Sequence, residues 1–99
     1  MKVRITDAAW ENMLHIGRWI KQDNPARAET FVRELYDRCE ALEDMPRAFP
    51  LLPGREDAGI RRRPYGDYLI FYRIADDAVE VLHVLHGAVD YERLLFPDE

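Results

Sequence analysis

The apolar positions of this 99-residue chain repeat with two periods, a helical one before residue 45 and a strand-like one after residue 59. Residues 2–5 (KVRI) alternate polar and apolar over too short a span for a helix, and predict a strand. Thr6 or Asp7 offers an N-cap oxygen to a helix beginning just after it. From Ala8 to Lys21 the residues Ala9, Trp10, Met13, Ile16, Gly17 and Ile20 fall three and four apart, one stripe of an amphipathic helix. Asn24-Pro25 ends that helix and opens another, with Asn as N-cap and Pro at the first helical position, where no partner for its missing N–H is needed. Ala28, Phe31, Val32, Leu35, Cys39 and Leu42 form the second stripe, and the short link between the helices predicts an antiparallel αα-hairpin.

Residues 45–58 contain Pro46, Pro50, Pro53 and Gly54, which forbid continued helix. A connection this long is usually functional or tied down by its own side chains, and Phe49, Leu51 and Leu52 favour the second. Ile60–Tyr65, Tyr68–Ile74 and Val79–His86 are rich in branched and aromatic residues and are separated by the turn pairs Gly66-Asp67 and Asp76-Asp77. They predict a three-stranded antiparallel meander. Asp90 to Phe96 predicts one helical turn before Pro97. No repeat, linker or low-complexity tract divides the chain, so residues 1–99 read as one α+β domain of order β-α-α-β-β-β.

Alternation fails to name a wet face for this sheet. In the middle strand Tyr68, Ile70, Tyr72 and Ile74 oppose Leu69, Phe71 and Arg73, and in the last strand Val79, Val81 and Leu85 oppose Leu82 and Val84. Both faces are apolar, and an αα-hairpin covers one. The loop at 45–58 and the tail cover the other, or a second polypeptide does. Left wet, such side chains would forgo several kcal/mol at about 25 cal/mol per Å², comparable to the stability of a small domain. That magnitude favours a partner seated on the second face.

Composition narrows the function. At 47% apolar and 33% charged the chain is globular rather than disordered. A single cysteine, Cys39, forms no internal disulfide and no metal site. No apolar run reaches the roughly 18–20 residues of a membrane span, and the opening MKVRITDAAW has no apolar core behind its charges. The expected compartment is therefore the cytoplasm. The formal charge is −5, from 14 basic and 19 acidic residues, which disfavours a protein living by phosphate contacts and direct sequence-specific DNA binding. The basic residues concentrate locally, with Arg61-Arg62-Arg63 the one basic run.

Candidate chemistry is sparse. No metal motif or nucleotide-binding glycine pattern is present, and no cofactor is expected. Strand parity sets His83 and His86 on opposite faces, so they form no acid–base pair. His86 falls near Arg73 if the last hairpin registers about Asp76-Asp77, and a histidine beside an arginine fits RNA cleavage by 2′-OH attack. No obvious general base accompanies them, and such a histidine more often packs a strand end. Arg61 and Arg63 share one face and Arg62 takes the other; either they keep an edge strand soluble or they meet an acidic partner or phosphate. Trp19 lies off the Trp10 stripe, which leaves a large aromatic facing outward.

Several segments in order carry a family resemblance: W-I-x-x-x-N-P-x-x-A (Trp19 to Ala28), F-x-x-x-L-x-x-x-C-x-x-L from Phe31, L-x-x-x-P (Leu42 to Pro46), G-I-R (Gly59 to Arg61), Y-L-I-F-Y-R-I (Tyr68 to Ile74) and V-L-H-V-L-H-G-A-x-D (Val81 to Asp90). Together they resemble the ParE toxins of the RelE/ParE superfamily. The resemblance implies a RelE/ParE-like fold and the toxin of a type II toxin–antitoxin module, neutralised in a hetero-oligomer by a ParD-like antitoxin. It further implies DNA gyrase as target and a protein that is not an enzyme; the alternative is a RelE-like ribosome-dependent mRNA endoribonuclease using Arg73 and His86. Arg61, Arg63, Arg73 and His86 become candidates for the target-facing surface, and Trp19, Leu69, Phe71, Leu82 and Val84 for the antitoxin-facing one. One departure stands out: family sequences read H-G-A-R-D where this chain has Val89.

Overall fold

The computed structural model describes residues 1–98. Its elements are β1 (Lys2–Ile5), α1 (Asp7–Lys21), α2 (Pro25–Glu40), β2 (Ile60–Tyr65), β3 (Tyr68–Ala75), β4 (Ala78–His86) and a five-residue α3 (Tyr91–Leu95). The α+β order expected from the sequence is present. Thr6 caps α1 by accepting from the Ala9 N–H at 3.2 Å, and Asn24 caps α2 by accepting from the Arg27 N–H at 3.1 Å. The second apolar stripe outlasts its helix: α2 ends at Glu40, and a 3-10 turn at Ala41–Glu43 carries Leu42 into the core.

One four-stranded sheet runs in the order β1-β4-β3-β2. β4 therefore sits inside, with β1 parallel on one side and β3 antiparallel on the other. The αα-hairpin covers one face, where Met13, Leu35, Cys39, Leu42, Ile70, Tyr72, Val79 and Val81 are fully buried. Gly17 lets the two helices close up, since a Cβ there would lie 2.9 Å from Val32 Cγ2.

Two expectations about the sheet need correction. First, the parity of β4 changes midway. Tyr72 pairs with Val81 while Phe71 pairs with His83, so Leu82 is an extra residue in β4. This bulge turns Val84 toward the helices and Leu85 away from them, the reverse of simple alternation. Second, the face away from the helices is covered by the chain itself. Leu52, Ile60 and Phe71 are buried there, and Ala58, Leu69, Leu82, Leu85, Tyr91, Leu95 and Phe96 pack around them. The loop and tail thus form a second, smaller core, and the sheet needs no foreign polypeptide on this side to bury Phe71.

The loop is held by backbone and by arginine. The Leu52 N–H donates to Ile60 O at 2.9 Å and the Arg62 N–H to Pro50 O at 3.2 Å, which closes part of the outer edge of β2. Arg55 ion-pairs with Glu92 at 3.0 Å and lies 4.1 Å over the Phe96 ring, joining loop to tail.

Candidate functional site

The β3–β4 register decides the first question of chemistry. The hairpin does turn at Asp76-Asp77, but this pairs Arg73 with Glu80 and His86 with Tyr68. Arg73 and His86 therefore occupy opposite ends of the hairpin, and the juxtaposition anticipated from the sequence does not occur. A residue three positions from the turn on one strand meets a residue three positions beyond it on the other, and His86 lies too far along β4. They also face different ways: His86 lines a cavity under α1, Arg73 one on the tail-covered face. His83 and His86 lie on opposite faces, as parity expects.

Each candidate cation is already engaged within the fold. Arg73 Nε donates to Glu80 Oε1 at 2.8 Å. Arg61 reaches back to the loop and donates to Phe49 O at 2.7 Å, and Arg63 donates to Arg38 O at 3.2 Å near the end of α2 while lying 4.8 Å over the Phe49 ring. Desolvation lowers the Arg63 pKa, with repulsion from Arg38 adding to it. Arg62, on the other face, donates to the Tyr91 hydroxyl at 2.9 Å and so ties down the tail. The basic run is a set of staples between the edge strand and its surroundings. The sequence shows the charges without showing the carbonyl oxygens that receive them.

The candidate antitoxin residues divide by burial. Phe71 and Val84 are sealed in the two cores, with exposures of 0% and 1%, and Leu69 and Leu82 are half-covered by loop and tail. Trp19 is 64% exposed. It stands at the rim of a cavity of about 350 Å³ between α1 and the end of β4, lined also by His15, Tyr68, Leu85, His86 and Val89. His86 stacks edge-on against Tyr68, with centroids 5.3 Å apart, and its Nδ1 accepts the Ala88 N–H at 3.0 Å. The proton of the neutral ring is then on Nε2. Val89, at the position of the missing arginine, is exposed beside this cavity.

Two polar devices are not visible in the sequence. Asn12 of α1 accepts the Val84 N–H at 3.1 Å, satisfying the edge of β4 beyond the point where β1 stops. Tyr65 donates to Glu34, which also forms a bidentate pair with Arg27; the Arg27 hydrogen bond first, and that of Tyr65 second, hold the Glu34 carboxyl below its ordinary pKa.

The family model of the ParE toxin of type II toxin–antitoxin systems, parDE, matches residues 3–91. The chain belongs to the ParE toxin family. In fold it is similar to a chain of the chromosomal ParDE toxin–antitoxin system of P. aeruginosa, with a TM-score of 0.76 over 87% of this chain and 95% of that one at 15% identity. It is also similar to a chain of the toxin–antitoxin complex RelBE2 of Mycobacterium tuberculosis, with a TM-score of 0.55 over 86% and 95% at 26% identity. No curated protein matches it. As a ParE-family toxin of the type II class, it has no helix among the described residues long and apolar enough to cross a membrane, and no group of three or more His, Cys, Asp or Glu placed to hold a metal.

Proposed function

We propose that this ParE-family chain acts by binding DNA gyrase, without cutting RNA, and that a ParD-like antitoxin neutralises it. The observation that carries the non-nuclease reading is the register that sets Arg73 opposite Glu80 and His86 opposite Tyr68. An mRNA endoribonuclease needs base, acid and phosphate-binding cation around one scissile bond. Arg73 and His86 share neither an end nor a face of the hairpin. The acidic balance, −5 overall, agrees with a protein target better than with ribosome-bound RNA.

The antitoxin surface in this reading centres on Trp19 and the adjoining cavity with Val89, in place of the buried sheet residues Phe71 and Val84. A gyrase supercoiling assay with the isolated toxin tests the target. Supercoiling should fall with added toxin and recover when the antitoxin encoded beside it is supplied. Undiminished supercoiling at saturating toxin, with transcript 5′ ends clustering inside translated codons after induction, would instead establish the ribosome-dependent endoribonuclease, which the likeness to a RelBE2 chain keeps as the alternative.

A further inference from the structure

A cavity of about 340 Å³ opens on the tail-covered face, between the start of α1, the upper part of β3 and β4, and the tail. Its polar wall contains Arg73 and His83, and its apolar wall Leu82, Leu94 and Leu95. The gyrase and antitoxin reading gives no role to His83 or to the leucine wall of this cavity.

The state of His83 is set by Asn12. Asn12 Oδ1 receives the Val84 N–H at 3.1 Å and lies 3.0 Å from His83 Nδ1. An atom that accepts a backbone N–H is the amide oxygen, and it has no proton to give. Nδ1 therefore carries the imidazole hydrogen, and Nε2 is the nitrogen with the open lone pair. Nε2 has no hydrogen-bond partner among the described residues, and no buried side-chain nitrogen or oxygen among them lacks one, so Nε2 is accessible to solvent on a ring that lines the cavity. Burial lowers the pKa of the ring, which keeps it neutral at pH 7.

Glu80 orients Arg73 in the same manner. It takes the Nε–H at 2.8 Å, and the two terminal amino groups have no acceptor among the described residues. Glu80 is shared with Arg4 at 3.5 Å, so one carboxylate faces two guanidinium groups and positive charge is in excess. His83 pairs with Phe71, and Arg73 stands two residues along β3 from Phe71 on the same face, with the bulge at Leu82 in the facing stretch of β4. A cationic fork and an acceptor thus line one cavity beside a leucine wall.

We propose that this cavity binds a nucleoside monophosphate, its phosphate on the Arg73 fork, a ribose hydroxyl donating to His83 Nε2 and its base against Leu94 and Leu95. Inorganic phosphate would leave the His83 acceptor and the leucines unused, and an uncharged nucleoside would leave the fork empty. The volume is at the lower end of small-molecule sites, which suits a mononucleotide. Asn12 acts as a positioning residue, through the tautomer of His83.

The test is titration of the full chain, carrying ¹⁵N-labelled histidine, with adenosine monophosphate, adenosine and inorganic phosphate. The monophosphate should move the His83 Nε2 resonance and bind at least tenfold more tightly than either fragment. Arg73→Gln should weaken the monophosphate at least tenfold and leave adenosine unchanged, with Arg73→Lys as the second variant should Arg73→Gln not fold. Asn12→Ala should shift His83 toward the Nε2–H tautomer, seen in the ring ¹⁵N shifts, and weaken the monophosphate as well. Phosphate binding as tightly as the nucleotide, an Arg73→Gln protein that binds it normally, or an unmoved His83 resonance would each overturn the proposal. Displacement of the nucleotide by a single-stranded RNA hexamer at far lower concentration would also overturn it, in favour of an RNA surface.

Discussion

The hydroxyl of Tyr72, at the centre of the middle strand, donates to the carbonyl oxygen of Pro46 at 2.9 Å. Tyr72 is fully buried, and Pro46 opens the loop that wraps the edge of the sheet. A core side chain thereby fixes where that loop departs. Burial raises the Tyr72 pKa, against the opposing pull of Arg61. Tyr72→Phe keeps the ring and removes the donor, leaving Pro46 O unpaired. The variant should lose about 1–3 kcal/mol of unfolding free energy in denaturant titration. Faster amide exchange at Ala48 and Leu52 should accompany the loss, because both amides belong to the loop so anchored.

Gly17 predicts a size limit at the helix crossing. Gly17→Ala gains up to about 1 kcal/mol of helix propensity but brings a methyl to 2.9 Å from Val32 Cγ2, so the net change should be small. Gly17→Val cannot be absorbed by a rotamer of Val32 and should destabilise by about 1–3 kcal/mol. Adding Val32→Ala should recover most of that loss in a thermal-unfolding cycle. No coupling between the two sites would contradict the close approach.

Local signals carry the helices and strands. Asn24-Pro25 is legible as stop and start because capping and a missing N–H are properties of two adjacent residues. The turn at Asp76-Asp77 is legible too, with Asp76 taking a positive φ of 55°. The bulge at Leu82 is not, since an inserted residue leaves no mark on composition, and it alters the facing of Val84 and Leu85. The site suffers most from non-local pairing. Whether Arg73 meets His86 or Glu80 depends on counting residues from the turn, and the arginines at 61–63 are explained by carbonyl oxygens and a hydroxyl 12 to 29 residues away. The two-sided greasiness of the sheet is plain in the sequence, but its cover comes from proline-rich loop and tail segments whose periodicity is too short to reveal a face.

Removing the tail tests that cover. Truncation after Asp90 deletes Tyr91, Leu95 and Phe96 from the second core and frees Arg55 from Glu92. Two or three half-buried apolar side chains at about 1.5 kcal/mol each predict a loss of about 2–5 kcal/mol, with new binding of a hydrophobic dye. Phe71→Ala, which empties the same core from the sheet side, should destabilise by about 3–5 kcal/mol. An undiminished denaturation midpoint in the truncated chain would mean that the loop alone shelters Phe71.

Trp19 separates binding from stability. Its side chain is 64% exposed, so Trp19→Ala should change unfolding free energy by no more than about 0.5 kcal/mol. A central aromatic anchor contributes about 2 kcal/mol or more to an interface, which predicts antitoxin affinity at least tenfold weaker in calorimetric titration. Phe71→Glu should show the opposite ordering, with the fold lost before any specific effect on the antitoxin is measurable.

Acid should weaken the fold in two steps. Burial depresses the pKa of His83 below the ordinary 6.5, so the unfolded chain takes up this proton at a higher pH than the folded one. Stability from the neutral ring is complete above about pH 6.5 and is lost as pH falls through the lower folded value. The second step belongs to Glu34. Its carboxyl is held below 4.5 by the Arg27 hydrogen bond and then by Tyr65, so its contribution is present above that value and lost as pH falls further. Arg27 stays charged throughout, and the Tyr65 hydroxyl, whose pKa Glu34 raises, stays protonated at acid pH, so the partners of Glu34 do not titrate in the same window. Urea unfolding at half-unit intervals from pH 8 to pH 3 should resolve both steps. His83→Gln removes the titration, so it should flatten the upper step alone, and Glu34→Gln the lower. If His83→Gln reproduces the wild-type slope between pH 6.5 and 5, then the ring is already solvated in the fold and its burial beside Asn12 has no part in acid sensitivity.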